Sequence, residues 1–160
     1  MSKSLNPSDY AGSDVPSHPV FRWAATIAAN PERYGIMLLR LVVGLVFLIH
    51  GGQKWFVFGP AGTAAAFAKM GIPAIGAYAT MTAEFVCGIL LVAGLFTRFA
   101  AVPLIGVMAV ALITVHGRNG FFLPMGYEYV LTLLAGLFAL LLAGPGAWAV
   151  DDFIAGEPVV

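Results

Sequence analysis

The chain has 160 residues, of which 60% are hydrophobic and only 10% are charged, and its formal net charge is zero. Soluble domains carry roughly 25% charged residues because their surfaces must be hydrated, so this composition excludes an ordinary soluble domain. The zero net charge also argues against nucleic acid as a partner, because nucleic-acid binding depends on clustered positive charge.

The first part of the chain is more polar than the rest. Residues 1–18 are rich in Ser, Pro, Asp and Gly, which predicts a disordered tail. They lack the apolar core of a signal peptide, so the first membrane span is expected to act as an uncleaved signal anchor. Residues 19–33 predict a short amphipathic helix that ends at Asn30-Pro31. This helix is too short to cross a membrane, so we expect it to lie in the headgroup region as an interfacial segment.

Residues 34–150 contain four long apolar segments. Each approaches the ~20 residues that cross a hydrocarbon core about 30 Å thick. Helices are the conformation that satisfies the backbone there without water. We therefore predict an all-α fold, an integral membrane four-helix bundle. Its four spans are expected at residues 35–58, 72–96, 99–115 and 129–148.

Two shorter segments flank these spans. Residues 59–70 place Pro60 at a helix start and are followed by Gly71, which predicts an interfacial helix between the first two spans. Residues 151–160 predict a short acidic tail.

The distribution of basic residues bears on orientation. Four spans place both termini on one side of the membrane, and the positive-inside rule assigns the more basic side to the cytoplasm. The basic residues near the termini are Arg22, Arg33, Arg40 and Arg98, against Lys54, Lys69 and Arg118 at the opposite face. The sequence therefore favours cytoplasmic termini.

Ionisable residues also fall inside the predicted spans. Arg40 lies in the first span and Glu84 near the middle of the second, where an ionisable group costs ~2.5–3.5 kcal/mol on insertion scales. Because the two spans are antiparallel, counting residues from opposite faces brings Arg40 and Glu84 to similar depths. We expect an intramembrane ion pair between them, or a protonated Glu84. The pair would either hold the bundle in register or serve a function.

A second polar group is expected at one membrane face. The first and third spans run in the same direction, so His50 and His116 reach the same side of the bilayer. The candidate ligand-binding residues at this face are His50, Lys54, His116, Asn119 and Glu128. They could bind a quinone carbonyl, relay protons or ligate a metal. The alternative is a structural polar cap in which Glu128 pairs with Lys54 or Arg118.

Haem and metal ions are disfavoured as ligands of this group. The chain has three histidines, one of them in the tail, and none are paired within one helix. Neither a metal site nor a bis-histidine haem site is therefore predicted, and no catalytic residue is identified. Aromatic residues at the same face predict an interfacial belt, although they could also wall a planar ligand. They are Trp55, Phe56, Phe58, Phe121, Phe122, Tyr127 and Tyr129.

Several runs in the membrane region resemble the DoxX family of small bacterial membrane proteins. They are LLRLVVGLVFLIHGGQKWF, GPAGTAAAFAKMGIP, TAEFVCGILLVAGLFTRFAA and VHGRNGFFLPMGYEYVLTLLAGLFALLLAGPG. The resemblance covers residues 34–152 and implies a four-helix protein of the bacterial inner membrane. The positions that match the family's recurrent polar residues are Arg40, His50, Gly51, Lys54, Glu84, Arg98, His116, Asn119, Gly120 and Glu128.

The resemblance also bears on function. Some relatives belong to quinone-linked thiosulfate oxidation and others to redox-associated membrane complexes. The cysteine-bearing redox relatives differ from this chain, because Cys87 is its single cysteine, which argues against thiol exchange. The main hypothesis is a quinone-associated subunit of a membrane redox complex, with the bilayer and other membrane subunits as partners. The alternatives are a non-catalytic subunit or assembly factor and a small transporter.

Overall fold

The computed structural model describes residues 19–122 and 124–156, and every regular element in these two ranges is a helix. The predicted disordered tail, residues 1–18, lies outside the described residues, and so does the end of the predicted acidic tail, residues 157–160. In chain order the helices are α1 (Pro19–Ala29), α2 (Pro31–Gly52), α3 (Gly59–Lys69), α4 (Ala74–Ala93), α5 (Thr97–Ala111), α6 (Glu128–Ala143) and α7 (Val150–Ala155).

Two of the long helices end in a wider turn. The segment Gln53–Val57 continues α2 and the segment Leu112–His116 continues α5, each as a π-helical turn. With these extensions, three of the described helices are long and apolar enough to cross a membrane: Pro31–Val57, Ala74–Ala93 and Thr97–His116.

The predicted fourth span is shorter than expected. The apolar helix α6 has 16 residues, or about 24 Å at 1.5 Å per residue, against a hydrocarbon core of about 30 Å. The chain turns at Gly144, whose positive φ of 89° ends the helix before the predicted limit at residue 148. The all-helical prediction is confirmed, whereas the arrangement as four full spans stays a prediction.

The long helices pack side by side. Helix α2 contacts α4, α4 contacts α5, α5 contacts α6, and α6 returns to α2. Large apolar side chains fill the centre, among them Phe47, Leu91, Leu104 and Leu137, all 0–1% exposed. The outer faces expose other apolar residues, such as Phe99 at 79% and Leu142 at 77%. A soluble protein rarely exposes a continuous apolar surface of this kind to water. In a membrane the same surface contacts lipid chains, which are themselves apolar.

Glycines set the register between α2 and α4. A Cβ added to Gly88 would lie 2.5 Å from the backbone nitrogen of Leu48, and one added to Gly44 would lie 2.9 Å from Cβ of Leu91. A Cβ added to Gly51 would likewise collide with the backbone nitrogen of Phe85. Small residues at these points let the two helices approach closely. The contacts place residue 51 opposite residue 85 and residue 48 opposite residue 88.

This register shows that the predicted ion pair between Arg40 and Glu84 is wrong. With residue 51 opposite residue 85, Glu84 faces residue 52. Arg40 lies 52 − 40 = 12 residues away along α2, or about 18 Å. Glu84 pairs instead with Lys54. The count from the membrane faces failed because it took the start of α2 and the end of α4 as level, whereas in this register the last residue of α4, Ala93, lies opposite residue 43.

Arg40 binds backbone carbonyls at the opposite end of the bundle. Its Nη1 donates to the carbonyl oxygens of Leu91 (3.2 Å) and Val92 (3.4 Å), at the end of α4. Its Nη2 donates to the carbonyls of Ala147 and Trp148, both at 3.3 Å. The guanidinium group is 1% exposed and joins the last turn of α4 to the segment that precedes α7.

The start of the predicted acidic tail is ordered and packed. Asp151 accepts hydrogen bonds from the backbone nitrogens of Phe96 (2.9 Å) and Thr97 (3.4 Å) at the start of α5. Asp152 is 7% exposed and forms an ion pair with Arg33. Residues 151–155 therefore belong to a short helix that is fastened to the bundle.

The predicted helix between the first two spans is observed as α3. Thr63, on its buried side, donates a hydrogen bond to the Lys54 carbonyl at 3.1 Å. Helix α3 thus lies against α4 and the π turn that follows α2. The predicted interfacial positions of α1 and α3 stay predictions.

Candidate functional site

A cavity of about 180 Å³ lies among α2, α4, α5 and α6, near the end that holds the two π turns. Its lining residues are Phe47, His50, Lys54, Glu84, Met108, Ala111, His116, Tyr129, Val130 and Leu133. The cavity therefore combines apolar walls with five side chains that can form hydrogen bonds.

The cavity has a closed end and an open end. Phe47, Met108 and Glu84 are 1%, 8% and 4% exposed, so they form the closed end. His50 and Tyr129 are exposed while lining the same cavity, so they stand at its mouth. A ligand would enter between α2 and α6 and meet the buried carboxylate last.

The closed end carries an ion pair. The Lys54 ammonium contacts the Glu84 carboxylate, and the two side chains are 19% and 5% exposed. Desolvating either charge alone is costly, and pairing offsets part of that cost. The cavity thus holds a positive and a negative group whose charges cancel, which allows a neutral ligand to bind beside them.

Both π turns contribute to the site. The backbone nitrogen of Phe58 donates to the carbonyl of Gln53 at 3.0 Å, and that of Gly117 to the carbonyl of Leu112 at 2.7 Å. The turn after α2 contains Lys54 and the turn after α5 contains His116. A π turn inserts an extra residue and changes the direction of the following side chains, and such turns occur often at functional sites.

His116 is oriented by the loop between α5 and α6. Its Nδ1 lies 2.9 Å from the carbonyl oxygen of Met125. Asn119 Nδ2 donates to the same carbonyl at 3.2 Å and to that of Val115 at 2.9 Å. Asn119 therefore orders the loop and does not line the cavity.

The sequence predicted some of the residues that line this cavity. The predicted residues His50, Lys54 and His116 do meet in one cavity, whereas Asn119 and Glu128 are not among its lining residues. Two members were missed: Glu84, which was assigned to Arg40, and Tyr129, which was assigned to the aromatic belt. The glycine spacing of α2 and α4 could have placed Glu84, because it fixes the register of the two helices.

A larger apolar cavity adjoins the first one. It measures about 380 Å³ and is lined by Lys54, Phe58, Gly62, Thr63, Ala66 and Phe67. Lys54 lines both cavities, so the two share this side chain. Helix α3 supplies most of the wall of this larger cavity.

The donor set suits an organic ring better than a metal ion. Across residues 19–122 and 124–156, no three His, Cys, Asp or Glu side chains are grouped closely enough to hold a metal. Imidazole, phenol and ammonium groups around apolar walls are the usual surroundings of a small organic ligand.

Comparison with known proteins identifies related chains. The DoxX family profile matches residues 35–117. A membrane protein of Mycobacterium tuberculosis is 38% identical over 153 residues, covering 88% of this chain and 90% of its own length. CatD of Bacillus subtilis, which carries the provisional name of an oxidoreductase, is 32% identical over 120 residues, covering 75% of this chain and 87% of its own length.

A more distant relative is named for its location. The inner membrane protein YqjF of Escherichia coli is 26% identical over 128 residues, covering 77% of this chain and 94% of its own length. No solved structure shows significant similarity to the chain.

Proposed function

This chain belongs to the DoxX family of membrane proteins, and from that premise we propose that it is a quinone-associated subunit of a membrane redox complex. The observation that carries the proposal is the convergence of His50, His116, Tyr129 and the Lys54–Glu84 pair on one cavity between apolar walls. A quinone head needs apolar contact for its ring faces and hydrogen-bonding groups for its two oxygens. This cavity offers both.

The size of the cavity sets the size of the ligand. Pockets for drug-sized molecules measure roughly 300–1,000 Å³, so about 180 Å³ accommodates a single substituted ring. The wall residues Phe47, Met108 and Leu133 would contact the ring faces, and His50 and Tyr129 would meet it at the mouth.

The adjoining apolar cavity suits the tail of such a ligand. Membrane quinones carry a hydrocarbon chain, and the larger cavity is lined mainly by Phe58, Ala66 and Phe67. A ring in the smaller cavity could send its chain past Lys54 into this space, because Lys54 borders both.

Electron transfer would require a partner subunit. The chain has one cysteine, Cys87, which is buried in α4. In this proposal the chain binds the quinone and exchanges protons with it, while another subunit exchanges the electrons. The provisional oxidoreductase name of CatD is consistent with this assignment.

A second candidate function is a docking or assembly subunit without catalysis. The loop between α5 and α6 favours it, because Phe122 and Met125 are 78% and 57% exposed there. Such apolar exposure at a loop suits contact with a membrane partner as well as with lipid. Ligand binding in the cavity separates the two functions.

We further propose that α6 is the fourth span and that both termini lie on the cytoplasmic side of the bacterial inner membrane. Four basic residues belong to the terminal side, Arg22, Arg33, Arg40 and Arg98, against three on the opposite side, Lys54, Lys69 and Arg118. Reporter fusions at the two termini and in the loop after α5 test this topology, and opposite locations for the two termini would contradict it.

The proposed function is tested by quinone binding in lipid nanodiscs. We expect the purified protein to bind a decyl-substituted benzoquinone, measured by titration calorimetry. His50→Ala and Lys54→Met should weaken binding about tenfold, the equivalent of about 1.4 kcal/mol. Lys69→Met is the matched control, because Lys69 is exposed and lines neither cavity. Absence of binding, or equal affinity in all variants, would contradict the proposal.

A further inference from the structure

We propose that the cavity selects the reduced, dihydroxy form of its aromatic ligand, because His116 presents a nitrogen that accepts a hydrogen bond. This inference rests on the proposed function and adds to it the redox state of the ligand that binds more tightly.

The first step concerns the position of the proton on His116. Its Nδ1 lies 2.9 Å from the Met125 carbonyl oxygen. A carbonyl oxygen only accepts hydrogen bonds, so Nδ1 must carry the hydrogen. In a neutral imidazole the other nitrogen, Nε2, then has a free lone pair. His116 lines the cavity, and Nε2 is the ring nitrogen left for a ligand.

The second step concerns what holds the Met125 carbonyl in place. Asn119 Nδ2 also donates to it, at 3.2 Å. The loop is closed by backbone hydrogen bonds from Gly126 to Phe122 (2.9 Å) and from Tyr127 to Gly120 (3.0 Å). Gly126 is buried, and a Cβ there would collide with the carbonyls of the loop. The hydrogen bonds of the loop therefore fix the orientation of His116.

The third step concerns the other groups at the closed end. The Glu84 carboxylate accepts hydrogen bonds only, and the Lys54 ammonium is already engaged with it. The ammonium has three N–H groups and keeps donors for a ligand oxygen of either redox form, so the preference rests on the acceptor nitrogen of His116. His50 and Tyr129, at the mouth, can each donate or accept.

The acceptor nitrogen of His116 distinguishes the two redox forms of a quinone. A quinone oxygen only accepts hydrogen bonds, so it would face the Nε2 lone pair without a hydrogen between them. A hydroquinone hydroxyl donates to Nε2 directly. Sites built to hydrogen-bond a hydroxyl group discriminate strongly against analogues that lack it, because the site's polar group is left unpaired.

Three probes with the same ten-carbon tail test the inference. They are a benzene-1,4-diol, the corresponding benzoquinone and the 1,4-dimethoxy ether, titrated without oxygen into the protein in nanodiscs. We expect the diol to bind at least tenfold more tightly than the other two, as the loss of one hydrogen bond with about 1.4 kcal/mol would give. In His116→Ala the three affinities should lie within about threefold of each other.

Asn119→Ala tests the positioning step, because Asn119 does not line the cavity. This variant should retain diol binding but lose most of the preference for the diol over the quinone. Arg118→Ala, at the exposed neighbouring position, should keep the full preference. Binding of diol and quinone with equal affinity to the unmodified protein, or tighter binding of the quinone, would overturn the inference and leave the proposed function intact. If none of the three probes binds, the proposed function and this inference both fail.

Discussion

The Lys54 ammonium meets the Glu84 carboxylate across the contact between α2 and α4, at the closed end of the smaller cavity. Lys54 reaches this position from the π turn that follows α2, and Glu84 from the middle of α4. The same lysine also borders the larger apolar cavity. The ion pair thus belongs to the contact between α2 and α4, and its lysine lines both cavities.

The first prediction separates the stability of this pair from its role in binding. Removing one partner of a buried ion pair leaves an uncompensated charge and costs about 3–5 kcal/mol, whereas replacing both by apolar groups is often neutral. We therefore expect Lys54→Met and Glu84→Leu each to lower the thermal unfolding midpoint in detergent. The double variant Lys54→Met/Glu84→Leu should recover most of the loss.

The double variant should recover stability but not ligand binding, because both charged groups of the cavity are then absent. If the double variant is destabilised by the sum of the two single effects, the two side chains do not interact.

The second prediction concerns the register of α2 and α4. A Cβ on Gly51 would collide with the backbone of Phe85, and overpacking of this kind costs about 1–3 kcal/mol. Gly51→Ala should therefore lower the unfolding midpoint. Gly52→Ala is the matched control, since the nearest atom to its Cβ, from Phe85, lies 3.8 Å away and alanine gains about 1 kcal/mol of helix propensity. An equal effect at both positions would contradict the assigned register.

The long helices could be predicted from the sequence because their apolar runs are continuous, and three of the four are long enough to span a membrane. Helix α6 falls short because Gly144 ends it with a positive φ. The sequence carries a signal for this end, because Pro145 follows Gly144 and a helix usually ends before the residue that precedes a proline. The predicted limit at residue 148 did not use this signal, because it followed the apolar composition alone.

Three of the five hydrogen-bonding side chains of the cavity followed from the same reasoning. His50, Lys54 and His116 were predicted together because parallel spans bring their ends to one face. Glu84 was assigned to Arg40 because depth was counted from the ends of the apolar runs as if those ends were level, whereas α2 extends well beyond the end of α4 in the observed register. The π turns, which direct Lys54 and His116 inward, leave no pattern in the residue types.

The third prediction tests the larger cavity as the place of the hydrocarbon tail. Ala66 lines this cavity and Ala65, next to it on α3, does not. Ala66→Phe should fill the space and weaken binding of a decyl-substituted benzoquinone several-fold, while leaving the affinity for a benzoquinone with a single methyl group unchanged. Ala65→Phe, the matched control, should affect neither ligand. A similar loss for both ligands in Ala66→Phe would place the tail elsewhere.

The fourth prediction concerns Arg40, whose guanidinium bonds four backbone carbonyls at the other end of the bundle. The last carbonyls of a helix lack partners within it, and a buried polar group without a partner costs about 1–3 kcal/mol. Lysine presents one compact ammonium where arginine presents a planar fork. In Arg40→Lys the single ammonium group therefore cannot donate to the carbonyls of α4 and to those of the segment before α7 at the same time.

We expect Arg40→Lys to lower the unfolding midpoint and to raise amide deuterium uptake in α7 (Val150–Ala155), because α7 follows Ala147 and Trp148 directly. Arg118→Lys, a change of the same kind at an exposed position, should alter neither quantity. The Arg33–Asp152 pair also holds α7, so Arg33→Lys should raise uptake there less than Arg40→Lys does. If uptake in α7 stays at the level of the unmodified protein in Arg40→Lys, the guanidinium is not what fastens this end of the chain, and Arg33 together with the Asp151 contacts to α5 must suffice.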